Sequence, residues 1–323
     1  MRRLGAAIVF FTLMLSARMA AADGIARVAW LGAGSQVGSA DFVAALKQGL
    51  GENGLLEGRN YVFDAVYANG NYDRFPALVN DLLARNPSVI IAVTVSSVRA
   101  AQRATKSVPI VMVSTTDPVG SRLVETLARP GRNTTGLGNM ASDISGKYVQ
   151  LLHEIRPEAR HLAVMINPKN PSSRPVYERI EKTARKAGIQ AQAFEVTTGG
   201  RLDARFEALA RNRPDGLTII ADNSFLDQRR EICRLALEDR VPVIAFSPDF
   251  ADAGCVIGFG APRRELFRRS ATYVRKLLAG ADPAELPVEL PAIFETTINL
   301  NAANALGMAI PQSILLRADR VIE

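Results

Sequence analysis

The residues of this chain whose types could bind or react recur at one kind of place, directly after a short apolar run. Gly32-Ala33-Gly34-Ser35 follows the first run, and Thr94-Val95-Ser96-Ser97 and Ser114-Thr115-Thr116-Asp117 follow later ones. Asn139-Met140, Asn167-Pro168-Lys169-Asn170, Asp222-Asn223-Ser224-Phe225 and Phe246-Ser247-Pro248-Asp249 hold equivalent places further on. Such hydroxyls, amides and carboxylates suit recognition of a small polar molecule. Hydroxyls and the free N–H groups of a helix start favour an anion such as a carboxylate, and Asp222 or Asp249 favours an ammonium; together they match a zwitterion. Any one of these loops also meets the ordinary need of a following helix for an N-cap. The repetition in both halves of the chain is what favours two polar rims facing each other.

Catalytic constellations are weaker. Gly32-x-Gly34-x-x-x-Gly38 after a strand has the form of a dinucleotide loop, but the next strand carries Asp64 in its middle and no Tyr-x-x-x-Lys pair occurs. There is no Gly-x-Ser-x-Gly elbow, and the two histidines, His153 and His161, have no partner at metal-ligand spacing. Asp222 and Asp249 have the types of an acid/base pair with nothing to set their separation. The reading is a binding protein without catalysis, metal or cofactor. An exported hydrolase is the competing chemistry, and turnover of the bound molecule would distinguish it.

The elements that position these residues alternate along the whole chain. Strands are expected at residues 27–31, 61–66, 89–93 and 110–113, with an extended piece near 135–138. Helices are expected between them at 39–52 with Ser39 as cap, 73–85, 98–105, 121–127 and 142–154. The second half repeats the alternation, with strands at 161–166, 190–196, 216–221, 241–246 and 255–259. Its helices are expected at 175–187, 202–211, 227–238 and 265–278. Val89-Ile90-Ile91-Ala92-Val93 and Leu217-Thr218-Ile219-Ile220-Ala221 are nearly continuous apolar runs, the mark of parallel strands covered on both faces. Two doubly wound α/β lobes follow, and in such sheets ligands bind beyond the carboxyl ends of the strands.

The 323 residues, with 48% hydrophobic and 22% charged, are long enough for two domains and ordinary in composition. Residues 1–22 combine Arg2-Arg3, an apolar stretch from Leu4 to Ser16, and Ala20-Ala21-Ala22 before Asp23. That is the pattern of a cleaved secretory signal peptide, too short in its core for a membrane span, and it predicts a periplasmic mature protein. Without Arg2, Arg3 and Arg18 the formal charge falls from +7 to +4, which removes the case for nucleic acid. Export permits a disulfide between Cys233 and Cys255; two small buried apolar residues are the alternative.

One stretch is more than generic: Asp117-Pro118-Val119, then Leu123-Val124-Glu125-Thr126-Leu127-Ala128-Arg129-Pro130-Gly131-Arg132-Asn133-Thr134-Thr135-Gly136. It resembles the periplasmic substrate-binding proteins of ABC transporters, in the family that includes the TrpX-type tryptophan/tyrosine-binding proteins. Gly54-Leu55-Leu56-Glu57-Gly58-Arg59-Asn60, Ala279-Gly280-Ala281-Asp282-Pro283 and Asn299-Leu300 through Ala305-Leu306-Gly307 extend the resemblance over essentially the whole mature chain.

The resemblance implies a type I periplasmic-binding fold, two doubly wound parallel-sheet lobes joined by crossing strands, with a hinge and an interlobe cleft. It implies residues 23–140 plus 261–285 for the N-terminal lobe and 141–260 plus 286–323 for the C-terminal lobe. The expected function is the solute-binding component of an ABC importer, a monomer that takes a small molecule, best an amino acid with aromatic ones included, to a membrane permease. The alternative is a sensor docking on a membrane receptor or kinase. Ser96, Ser97, Thr115 and Thr116 are candidates for holding a carboxylate, Asp222 or Asp249 for an amine, and Asn167 and Asn223 for orientation. Ser35 and Asn139 complete the rims, and Phe246 or Phe225 supplies apolar cover. Among further aromatic residues, Tyr72 and Phe259 are available to sandwich a flat ligand, whereas Trp30, inside a strand, reads as core.

Overall fold

The computed structural model describes residues 25–197 and 200–323; the expected signal peptide, 1–22, lies outside the described residues. The first apolar runs form β1 (Ala26–Gly32), β2 (Tyr61–Tyr67), β3 (Val89–Ala92), β4 (Ile110–Thr116) and β5 (Thr134–Asn139). Between them lie α1 (Gln36–Glu52), a single 3-10 turn at Tyr72–Arg74 leading into α2 (Phe75–Ala84), and α3 (Val95–Ala104). The sheet is wholly parallel in the order β2-β1-β3-β4-β5. All four residues of β3 are buried, as its unbroken apolar run requires.

The second half builds a seven-stranded sheet in the order β12-β11-β10-β9-β8-β6-β7. Its strands are β6 (His161–Ile166), β7 (Gln190–Glu195), β8 (Gly216–Ile219), β9 (Val243–Ala245), β10 (Ile257–Gly260), β11 (Glu295–Asn299) and β12 (Arg320–Ile322). Only β10 and β11 pair antiparallel. The helices are α4 (Ser145–Ile155), α5 (Ser173–Lys186), α6 (Leu202–Asn212), α7 (Asn223–Asp227), α8 (Arg229–Glu238), α9 (Asp249–Asp252), α10 (Arg263–Leu278), α11 (Leu300–Ala305) and α12 (Gln312–Leu315).

The chain passes between the two sheets three times. It leaves the first sheet after β5 and returns after β10, because α10 packs along α1 and over β3, β4 and β5. Phe267 of α10 supplies the apolar seam, with its ring centre 4.9 Å from Phe42 of α1 and 5.4 Å from the buried Trp30 of β1. Residues 288 and 289 then run beside β5, where Gly138 N–H donates to the Glu289 carbonyl and Glu289 N–H to that of Gly136. The last passage leads to β11.

Several local expectations are corrected. The helix expected at 121–127 does not form: Arg122 adopts φ +56°, and Leu123 N–H turns back to the Pro118 carbonyl. Leu123 and Val124 are buried as a turn instead of a helical face. The cap of α1 is Ser35, whose hydroxyl accepts from Gly38 N–H, while Ser39 is buried one turn in. The helix expected at 227–238 forms as α8 from Arg229, and the short α7 before it was not expected. No sequence pattern announced β11, α11, α12 or β12, which are short and partly exposed. Cys233 of α8 and Cys255 are bonded at 2.02 Å, which decides between the two readings of that pair.

Candidate functional site

Parallel sheets present their carboxyl strand ends to the same region, and here the two sheets present them to each other. Hydrogen bonds cross directly between the rims. Asn223 Nδ2 donates to the Val93 carbonyl at 3.0 Å, Tyr72 hydroxyl to Asp222 Oδ2 at 3.1 Å, and Ser35 N–H to Asp227 Oδ2 at 2.5 Å. At the mouth, exposed Lys169 pairs with Asp73 at 3.1 Å. Contacts of this kind exist only while the lobes are together.

Arg263 lies at the centre. It opens α10 with 8% of its surface exposed. Its Nη1 donates to Ser114 Oγ at 3.0 Å and its Nη2 to Asn223 Oδ1 at 2.7 Å, and its buried Nε has no partner. Phe42, Phe246 and Phe267 surround the guanidinium at 5.0–5.9 Å from their ring centres, within cation–π range. Burial pushes its pKa down to about 10, against the pull of Asp249 and Asp227. No carboxylate forms an ion pair with it among the described residues. Ser114 reaches the guanidinium because a bulge between Val113 and Thr115 turns the strand there, with Ser114 at φ +54°.

Asp222 is the second buried group, 4% exposed, and its two oxygens are fully used. Oδ1 accepts from Ser224 N–H at 2.9 Å and Ser224 hydroxyl at 2.5 Å; Oδ2 accepts from Tyr72, from Asn167 at 3.2 Å and from Asn170 at 2.9 Å. Burial raises its pKa, opposed by those donors. Burial, and then the neighbouring Asp222 carboxylate, hold the Tyr72 phenol well above its ordinary value.

Two cavities of about 20 Å3 each flank Arg263. One is lined by Asn139, Met140, Tyr148 and Phe246, and the other by the start of α3 at Thr94-Val95, by Thr116, Ser172 and Asp222; Ser114 lines both. Each has room for about one water. A larger cavity, about 220 Å3, lies between His161, Gln190, Phe194 and Pro214. It opens at the amino ends of β6 and β7, the opposite end of the sheet from the rims, where this architecture does not bind ligands.

The structure thus gathers Asn139, Thr116, Asp222, Asn223 and Phe246 around the cavities and leaves other candidates off them. Ser97 is spent in a capping box with Thr94, and Ser96 is half-buried in the same turn of α3. Thr115 is wholly buried with its hydroxyl unpaired and does not line the cavities that its neighbours Ser114 and Thr116 line. Asn167 is buried behind Asp222, and Asn139 binds the Ser114 carbonyl at 2.7 Å. Asp249 accepts from Ser247 hydroxyl at 2.6 Å and Ser35 caps α1; neither lines a cavity. Phe225 and Trp30 are core, while Phe259 stacks with Tyr148 and Phe294. Strand-end reading missed Arg263 and Asp227, because neither directly follows a strand. The available signal was Arg263-Arg264 in the first turn of a helix, where basic residues oppose the dipole.

Two α/β lobes with facing polar rims, crossed three times by the chain, define the periplasmic-binding-protein class of fold. The chain belongs to the ABC transporter substrate binding protein family, whose model matches residues 36–322. A curated relative, the tyrosine-binding protein of Clostridioides difficile (strain R20291), is 24% identical over 267 residues, 83% of this chain and 75% of that protein. A conserved domain protein of Vibrio cholerae has a similar solved structure, at TM-score 0.86 and 27% identity over 92% of this chain and all of that one. The ABC domain from Streptococcus pneumonia, solved in complex with L-Trp, matches at TM-score 0.82 and 21% identity over 91% of this chain and all of that one.

Proposed function

We propose that this chain is the exported solute-binding component of an ABC importer, which captures an amino acid between its lobes by hinge closure and delivers it to a membrane permease. Family membership supports the transport role. Relatives named for tyrosine and solved with L-Trp favour an amino acid, aromatic ones first. The observation that carries the reading is the buried polar seam between the rims, Asn223 to Val93, Tyr72 to Asp222 and Ser35 to Asp227, which a hinge motion makes and breaks. Cavities with room for a water apiece mean that a ligand of amino-acid size enters only with the lobes apart.

In this reading residues 1–22 direct export to the periplasm. Because residues 286–289 hydrogen-bond along β5, the boundary expected at 285/286 shifts: residues 23–140 plus 261–289 move as one lobe against 141–260 plus 290–323, and the protein works as a monomer without catalysis. Asp222, with five donors, acts as the keystone of its rim instead of as an amine ligand. Asn139, Thr116, Asn223 and Phe246 face the ligand.

The test is thermal unfolding of residues 23–323, first unfolded and refolded to remove carried-over ligand, against amino acids, sugars, nucleosides and small carboxylates. A ligand at about 100 times its Kd stabilises by about 2.7 kcal/mol, a shift of a few degrees. Aromatic amino acids are expected to shift the transition while sugars and nucleosides do not; a shift by a sugar or nucleoside alone would overturn the ligand class.

A further inference from the structure

We infer that Arg263 is the anion receptor of the cleft: the ligand carries a carboxylate that pairs with this guanidinium and with the open N-terminus of α3. The inference rests on the cleft being the binding site and adds the group that the ligand must present there.

The argument is one of charge and unused donors. Arg263 is more than nine-tenths buried, yet its partners are a hydroxyl, an amide oxygen and three aromatic faces, none of which carries a full charge. A buried cation without a counter-ion is costly, and its Nε still has a proton to donate. Asp249 and Asp227 attract it from a distance, but no acid forms an ion pair with it among the described residues. Asp222 accepts from five donors, Asp227 takes the Ser35 N–H, and Asp249 takes the Ser247 hydroxyl.

The same cavity that Arg263 lines is closed on another side by Thr94 and Val95. They begin α3, a ten-residue helix whose third N–H is already bound by the Thr94 hydroxyl. The N–H groups of Val95 and Ser96 have no helical acceptor and add the positive end of the dipole. A guanidinium and a helix start converge on one small cavity, so a carboxylate admitted with the lobes apart meets both. An ammonium has no uncommitted carboxylate there.

The experiment compares, by calorimetry on the stripped protein, L-tyrosine, L-tryptophan, L-phenylalanine and L-leucine with the decarboxylated amine, the carboxamide and the deaminated acid of each. It repeats the series on R263M, which removes the charge and keeps an unbranched apolar stem, and on R263K. The inference predicts that at least one acid-bearing compound binds wild type. Its amine and carboxamide bind at least about 100-fold more weakly, the scale of truncating one partner of a buried charge pair. R263M loses about the same factor for the acid, with R263K intermediate, and unfolds without ligand at a temperature no lower than wild type. Equal binding of acid and carboxamide, wild-type affinity in R263M, or no binding by any acid-bearing compound overturns it. Binding by a deaminated acid but by no amino acid would leave this inference standing and remove the amino-acid reading.

Discussion

A guanidinium enclosed by Phe42, Phe246 and Phe267 and an aspartate enclosed by five donors sit on opposite rims with opposite needs. Burial pushes the arginine's pKa down to about 10, so its charged form is disfavoured until a negative partner joins it. The aspartate's charge is matched by donors that would be orphaned without it. D222N therefore has a different signature from R263M. An amide cannot accept from all five groups, and each buried donor left unpaired costs about 1–3 kcal/mol. We expect D222N to unfold several degrees below wild type even without ligand. Unchanged stability would show that Tyr72, Asn167 and Asn170 find other partners and that Asp222 is no keystone. Residue types and strand-end placement made Asp222, Asn223, Asn139 and Phe246 legible in the sequence. Saturation was not, because it depends on Tyr72 and Asn170, 150 and 52 positions away.

At the scale of elements, α1 meets α7 across the cleft. Asp227 at the end of α7 sets its carboxylate against the first turn of α1, taking the Ser35 N–H, and two glycines leave it room. A Cβ on Gly34 would stand 2.6 Å from Asp227 Oδ2, and one on Gly38 would stand 1.8 Å from Oδ1. The account predicts that G38A holds this edge of the cleft open and weakens ligand binding about tenfold or more, the effect of about 1.4 kcal/mol against the closed state. Adding D227A should recover most of that loss, a coupling that a double-mutant cycle reads directly. Wild-type affinity in G38A would mean that closure does not bring α1 onto Asp227. Apolar periodicity announced α1 and α10 well, since Phe42, Leu46 and Leu50 on one and Phe267 on the other follow helical spacing. It failed at 121–127, where Leu123 and Val124 are buried by a tight turn instead of a helix. It was silent beyond residue 286, where β11 and β12 are short and lie at the sheet's edge. Parallel α/β folding is written in local patterns, whereas strand ends and edges are set by what packs against them.

For the whole molecule the proposed function implies a two-state device. Three passages of the chain connect the lobes, and the contacts between the rims, Asn223 to Val93, Tyr72 to Asp222 and Ser35 to Asp227, are polar. A ligand shifts such an equilibrium only through contacts made in one of the two states. Arg263 offers those contacts, because its hydrogen bonds span from Ser114 on one rim to Asn223 on the other. The most direct test of the account is small-angle X-ray scattering of stripped residues 23–323 with and without the amino acid that calorimetry identifies, in wild type and R263M. The account predicts that saturating ligand contracts wild type to a smaller radius of gyration and leaves R263M at its ligand-free value at the same concentration. Saturated binding with an unchanged scattering curve would contradict capture by closure of the lobes.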